Sequence, residues 1–184
     1  MTPQPLRRIV VTGGPGAGKT SLFDALERRG FPRTREAGRA IIQDQVRIGG
    51  TALPWADRGL YAQLMLSWEM RSLAETEGLA GPVFFDRGAP DVVGYLRLCG
   101  LEVPAAIDAA ARLPLYDPVV FLAPPWREIF TGDAERRQDY AEAVRTFEAL
   151  AAVYAELGYR LVELPRADIA ERADFVLERL AATA

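Results

Sequence analysis

The chain alternates between short blocks that are apolar throughout and longer stretches in which apolar residues return every three or four positions. Residues 7–12 (RRIVVT) hold three consecutive β-branched residues, Ile9, Val10 and Val11, just ahead of a glycine run. So continuous a block predicts a strand buried on both faces. Residues 82–86 (PVFFD), 118–123 (PVVFLA) and 160–164 repeat the signature, and a shorter stretch at 34–36 completes a predicted set of five. The intervening segments carry the helical period. Residues 19–29 align Leu22, Phe23 and Leu26 before Gly30, residues 39–47 align Ile41, Ile42 and Val46, and residues 57–77 align Leu60, Tyr61, Leu64, Met65 and Trp68. Shorter helices are predicted at 91–100 and 104–112. A long one follows with Tyr140, Val144, Phe147, Leu150, Tyr154 and Leu157 on one side, and Asp168 caps a last helix with Ile169, Ala173, Val176, Leu177 and Leu180 inward. Strands that alternate with helices predict an α/β fold of three layers, a mostly parallel five-stranded sheet with helices on both faces. A chain of 184 residues, 49% hydrophobic, suits a single domain over its whole length.

Residues 126–137 break the pattern. They are polar, bounded by Pro124-Pro125, contain Gly132 and carry Arg127, Arg136 and Arg137. An arginine-bearing segment of this kind is a candidate lid over a phosphate group.

Charge and composition narrow the classes. A formal net charge of −3 gives no general attraction to nucleic acid or an anionic membrane, so any anion site must be local. Cys99 stands alone, which rules out an intrachain disulfide and points to a reducing, cytoplasmic setting. Met1 to Arg8 has no long apolar run behind its arginines, so neither a signal peptide nor a membrane span is expected. The absence of histidine excludes histidine-based triads and histidine zinc sites, and one cysteine cannot build a thiolate metal cluster. The 22 basic residues comprise 21 arginines and one lysine, Lys19. Coding bias accounts for the arginines but not for the exception. A compact ammonium on a thin stem fits a narrow cradle that a planar guanidinium does not.

That lysine lies in Gly13-Gly14-Pro15-Gly16-Ala17-Gly18-Lys19-Thr20, followed by Ser21, between a predicted strand and a predicted helix. The spacing is that of a phosphate-binding P-loop, G-x-x-x-x-G-K-[ST]. Glycines let backbone N–H groups turn toward phosphate oxygens, and the following helix adds the positive end of its dipole. Lys19 is expected to reach the β- and γ-phosphates of ATP, with the Thr20 hydroxyl on Mg²⁺. Asp86 ends its apolar strand on a carboxylate, the position from which a second group holds Mg²⁺ or its water shell; capping the next helix is its alternative role.

With these residues in view, the chain resembles the nucleoside and nucleotide kinase group of P-loop NTPases. It is also similar to predicted AAA-type ATPase domains and, in Glu36-Ala37-Gly38-Arg39, to NadR-type nicotinamide riboside kinases. The resemblance implies that Glu36 accepts the proton of an acceptor hydroxyl and that Arg39 and Arg87 clamp substrate or phosphate. Asp86-Arg87-Gly88 stands where deoxynucleoside kinases carry Glu-Arg-Ser, which leaves the acceptor open. The acceptor pocket is expected between the second strand and the helix starting near Asp57, with Trp55 and Gln63 as contacts; Tyr61 and Trp68 fit core packing better. No Asn-Lys-x-Asp motif accompanies the P-loop, which favours ATP over GTP. The expected activity is transfer of the γ-phosphoryl group to a small acceptor, a nucleoside or nucleotide. The alternative is an ATPase that drives a partner protein.

Overall fold

The computed structural model describes residues 5–130 and 139–183. The sheet at its centre is parallel throughout, in the order β2-β1-β3-β4, and is built from β1 (Arg7–Gly13), β2 (Pro82–Asp86), β3 (Val119–Ala123) and β4 (Arg160–Glu163). Successive side chains of a strand point to opposite faces, and here both faces find a core. Ile9, Val11, Phe84 and Phe121 pack on one side against Leu22, Phe23 and Leu26 of α1 (Lys19–Arg28) and Ala173, Val176 and Leu180 of α7 (Ile169–Ala181). Val10, Phe85 and Val120 pack on the other, against Leu73 of α3 (Arg58–Glu75) and Tyr154 of α6 (Tyr140–Glu156). Phe84, Phe85 and Phe121 are fully buried, each contributing about 1.5–3 kcal/mol of transfer free energy.

Three further helices lie between these elements: α2 (Ala37–Ile48), α4 (Ala89–Leu98) and α5 (Ala105–Arg112). Side-chain caps set several starts. Asp57 accepts from the Leu60 N–H at 2.9 Å, Asp139 from Glu142 at 2.7 Å and Asp168 from Glu171 at 2.9 Å. Because β1 pairs with β2 on one side and β3 on the other, the chain leaves β1 where the connections diverge. That is the place where open parallel sheets collect ligands.

Two sequence expectations are corrected. The fifth strand at 34–36 does not form. Its neighbours make only an isolated bridge, Arg33 with Phe84, framed by Phe84 N–H to the Pro32 carbonyl at 2.9 Å and Thr34 N–H to the Phe84 carbonyl at 2.8 Å. Pro32 has no N–H to give, and Glu36 is already the N-cap of α2, so too few residues remain for a ladder. The helix expected at 91–100 begins at Ala89, because Pro90 needs no donor in a first turn and the Asp91 carboxylate accepts from Gly88 N–H at 3.0 Å. Within the candidate lid, Arg127 is described, whereas Arg136 and Arg137 lie outside the described residues. Among the described residues no helix is long and apolar enough to cross a membrane.

Candidate active site

The loop between β1 and α1 is shaped by contacts that leave no room for side chains. A Cβ on Gly13, where φ is 138°, would collide with the Ala123 carbonyl oxygen of β3. Gly18, at φ 75°, is the N-cap of α1, and a Cβ there would lie 2.8 Å from the Arg172 guanidinium and 3.1 Å from Ile129. Lys19 is 8% exposed, and its ammonium donates to the carbonyls of Gly13 and Gly14 at 3.1 and 3.0 Å. The single lysine thus sits folded over the loop. Thr20 and Ser21 follow at the exposed start of α1. The Phe130 ring covers Gly16 and meets Tyr140 edge-on at 5.6 Å, while the Arg127 guanidinium stacks over the same Tyr140 ring at 4.8 Å. The first residues of the candidate lid therefore pack directly on the loop.

Beside the loop lies a buried cluster of charge. β2 delivers Asp86 next to Val11 in register, and Arg87 N–H donates to the Val11 carbonyl at 3.2 Å. Arg87 adopts φ 79°, a conformation a non-glycine residue holds only when its surroundings impose it. The constraint is visible. Its guanidinium donates to Asp91 at 3.1 Å and lies 3.9 Å from Glu36. Burial would lower the Arg87 pKa, but Asp91, Glu36 and Asp86 hold it above its ordinary value. Asp91 is saturated: it accepts from the hydroxyl of Thr12, from Gly88 N–H, and from the Tyr154 hydroxyl at 2.6 Å. Asp86 is not, because its Oδ1 is buried without a hydrogen-bond partner. Burial pushes Asp86 up to about 6, against the pull of Lys19. Glu69, from α3, is pushed to about 8 by burial and by the neighbouring Asp91 and Asp86 carboxylates.

A cavity of about 960 Å³ opens from Pro15 of the loop past this cluster. Glu36, Arg87 and Asp91 line it, α3 contributes Arg58, Tyr61, Met65 and Glu69, α4 contributes Tyr95, and α6 contributes Arg145 and Thr146. Trp55 stands at the wall, 61% exposed. Of the residues selected from sequence, Glu36, Arg87 and Trp55 come together around this space. Gln63 and Arg39 do not. The cavity stripe on α3 runs through Tyr61, Met65 and Glu69, and a position two residues from Tyr61 is turned about 200° around the helix, so Gln63 is exposed. On α2 the wall is Gly38, Ile42 and Val46; Arg39, one position past Gly38, is rotated about 100° and exposed. Tyr61 and Trp68 pack with Ile41 and Ile42, as core residues would, and Tyr61 also faces the cavity.

Several residues of the site escaped the sequence reading. Glu69 carries the clearest overlooked signal, an acid eight positions after Tyr61 on an otherwise apolar stripe. Asp91 had one too, as an acid three residues past a glycine, the position of a capping box. Thr12, Arg145 and Tyr154 offered none, since only tertiary packing brings them here. No group of three or more acidic or cysteine side chains among the described residues forms a metal cage. Among the described residues, Asp86 Oδ1 is the buried carboxylate oxygen left without a hydrogen-bond partner, and its chemistry calls for a cation or a donor.

The fold is that of small-molecule kinases. The chain is similar to the NadR protein solved in complex with NR (20% identity, TM-score 0.71), covering 96% of this chain and about half, 51%, of that one. It is similar to deoxyadenosine kinase from M. mycoides with products dCMP and dCDP bound (14% identity, TM-score 0.64, covering 95% and 99%). It is also similar to shikimate kinase from Acinetobacter baumannii in complex with shikimate (17% identity, TM-score 0.59, covering 97% and 94%). No curated protein matches it in sequence. A family model described as an AAA domain matches residues 8–172, nearly the whole described chain, and the protein belongs to that P-loop family.

Proposed function

We propose that this protein is an ATP-dependent phosphotransferase that moves the γ-phosphoryl group to a hydroxyl or phosphate of a small acceptor, a nucleoside or nucleotide. One observation carries the reading: a cavity of about 960 Å³, large enough for a small molecule, borders the phosphate loop at Pro15 and is lined by an acid, Glu36, and a half-buried arginine, Arg87. An ATPase acting on a partner protein needs no such space beside the phosphates. Kinases of deoxynucleosides and shikimate among the similar folds support the same reading.

In this mechanism the backbone of residues 13–18 cradles the polyphosphate of ATP and Lys19 draws charge from the β- and γ-phosphates. The Thr20 hydroxyl and the unsatisfied Asp86 carboxylate would hold Mg²⁺, which when bound neutralises phosphate charge. Glu36 accepts the proton of the acceptor hydroxyl as its oxygen bonds to the γ-phosphorus, and ADP leaves. Arg87 steadies Glu36 and faces the incoming group. Trp55 and Tyr61 offer aromatic faces to the acceptor ring. Arg136 and Arg137 are proposed, on sequence grounds alone, as phosphate contacts of a lid, and a reducing cytoplasmic setting is proposed for the protein.

The test is ATP consumption by the intact chain with Mg²⁺ against a panel of nucleosides, nucleotides, vitamins and sugars. Acceptor-dependent consumption with a matching phosphorylated product is expected. Consumption that no small acceptor stimulates, but a partner protein does, would overturn the kinase reading in favour of the ATPase.

A further inference from the structure

The last helix carries a charge where its own pattern calls for an apolar residue. Ile169, Arg172, Ala173, Val176 and Leu180 share the face of α7 that meets the core, and Arg172 is only 1% exposed. A buried guanidinium is usually tolerated because carboxylates surround it. Arg87 meets that condition, with Asp91, Glu36 and Asp86 around it. Arg172 does not. Among the described residues it forms no ion pair, its Nε has no hydrogen-bond partner, and its Nη1 donates to one neutral acceptor, the Ala17 carbonyl, at 3.0 Å. Burial lowers its pKa with no opposing carboxylate, yet an arginine keeps its proton in a protein.

What lies next to this uncompensated cation is the phosphate loop. A Cβ on Gly18 would sit 2.8 Å from Arg172 Nη1, so the guanidinium rests against the Ala17-Gly18 peptide itself. A trans peptide is planar, with its C=O and N–H pointing in opposite directions. Anchoring the Ala17 oxygen on the α7 side therefore aims the Gly18 N–H to the other side of the loop. That N–H, with those that begin α1, is where an anion would be bound.

We propose that Arg172 is a positioning and charge-balancing residue of the nucleotide site: it holds the Ala17-Gly18 peptide in its phosphate-binding orientation, and the counter-charge it lacks among the described residues is supplied by the bound polyphosphate. This rests on the reading of residues 13–20 as a phosphate cradle. Two consequences run in opposite directions. Without ligand, the buried charge is a burden, and an apolar side chain of similar length would be tolerated as well or better. With ligand, the same charge favours binding and keeps the loop set.

The experiment compares the intact wild type with Arg172→Met and Arg172→Lys, measuring melting temperature without ligand and the Kd for Mg·ATP and for inorganic tripolyphosphate. For Arg172→Met the expected result is an unliganded melting temperature equal to or above that of wild type, with both Kd values weakened tenfold or more. Arg172→Lys keeps a charge without the fork, so it should recover part of the affinity. A purely structural arginine gives the reverse pattern, a lowered unliganded melting temperature with both Kd values unchanged in the folded protein, and that result overturns the proposal. If Arg172→Met does not fold, Arg172→Lys and Arg172→Gln carry the test: Gln binding tripolyphosphate as tightly as Lys overturns it, and Lys binding more tightly supports it. Failure of wild type to bind tripolyphosphate or ATP at all would instead overturn the cradle, a separate outcome.

Discussion

The two halves of the site are built by different means. The phosphate half is made of backbone: eight consecutive residues, glycines pressed against Ala123, Phe130 and Arg172, and one lysine folded over them. The acceptor half is made of side chains from α2, α3, α4 and α6, which converge on a buried group of charges around Arg87. A backbone site tolerates no new side chain, and what it takes from distant residues is support for the loop, from Ala123, Phe130 and Arg172. A side-chain site is adjustable, and its properties depend on burial and on neighbours. Substitutions in the first half should therefore abolish function for any acceptor, whereas substitutions in the second should change which acceptor is used, or the pH at which the protein is stable.

The largest effect is expected at Lys19. Lys19→Ala should lower turnover about 10³-fold or more while the protein keeps its far-ultraviolet circular dichroism, because the ammonium bonds to carbonyls of the loop itself and packs in neither apolar core. Lys19→Arg should fail as well, since the space that leaves Lys19 8% exposed is shaped around an ammonium. Wild-type turnover in either variant would erase the distinction between the halves.

Glu36→Gln probes the border. If the carboxylate takes the acceptor's proton, turnover should fall about 10²-fold or more with ATP affinity little changed. An equal loss of ATP affinity would place Glu36 in the phosphate half instead.

Glu69 gives the acceptor half a pH signature of its own, reaching higher than that of Asp86. Its folded pKa, about 8, lies above its ordinary 4.5, so the folded state holds a proton that the unfolded state releases between those values. Stability contributed by the neutral acid is therefore present below about pH 4.5 and declines as pH rises toward 8, at a limiting slope of about 1.4 kcal/mol per pH unit. Glu69→Gln should remove that slope. Its melting temperature should approach that of wild type near pH 4.5 and exceed it by roughly 10 °C near pH 8, on the scale of about 2–4 °C per kcal/mol for a chain of this length. Parallel melting curves for the two proteins across that range would mean that Glu69 is ionised and paired.

The same contrast explains what could be read before any coordinates. Strand β2, the cradle and the capping residue Asp168 are local signals, and each stands where the pattern puts it. The charge cluster is not local. Thr12, Asp91 and Tyr154 meet through one carboxylate although they come from β1, α4 and α6. Arg172 was hidden differently, as a polar residue inside a stripe otherwise read for its apolar members. The missing fifth strand failed on chemistry close at hand, a proline and an early helix cap, that a count of apolar residues does not weigh.

The smallest expected effect separates two residues chosen by the same argument. Trp55 and Gln63 were both assigned to the acceptor because a ring can stack and an amide can read a polar edge. Only Trp55 reaches the cavity. Stacking of one aromatic side chain contributes about 0.5–1.5 kcal/mol, so Trp55→Ala should raise the KM for an aromatic acceptor roughly two- to tenfold and leave the KM for ATP alone. Gln63→Ala changes an exposed residue on the far side of α3 and should leave both within error, as surface substitutions usually do. The measurement is a matched pair of acceptor titrations at saturating ATP, using an acceptor found by the panel. Were Gln63→Ala the more damaging, α3 would have to turn by about half a revolution when the acceptor binds, exchanging the Tyr61, Met65 and Glu69 stripe for the opposite face. That rotation would take the buried Glu69 out of its cluster and break the core contacts of Tyr61, so the geometry of α3 favours Trp55.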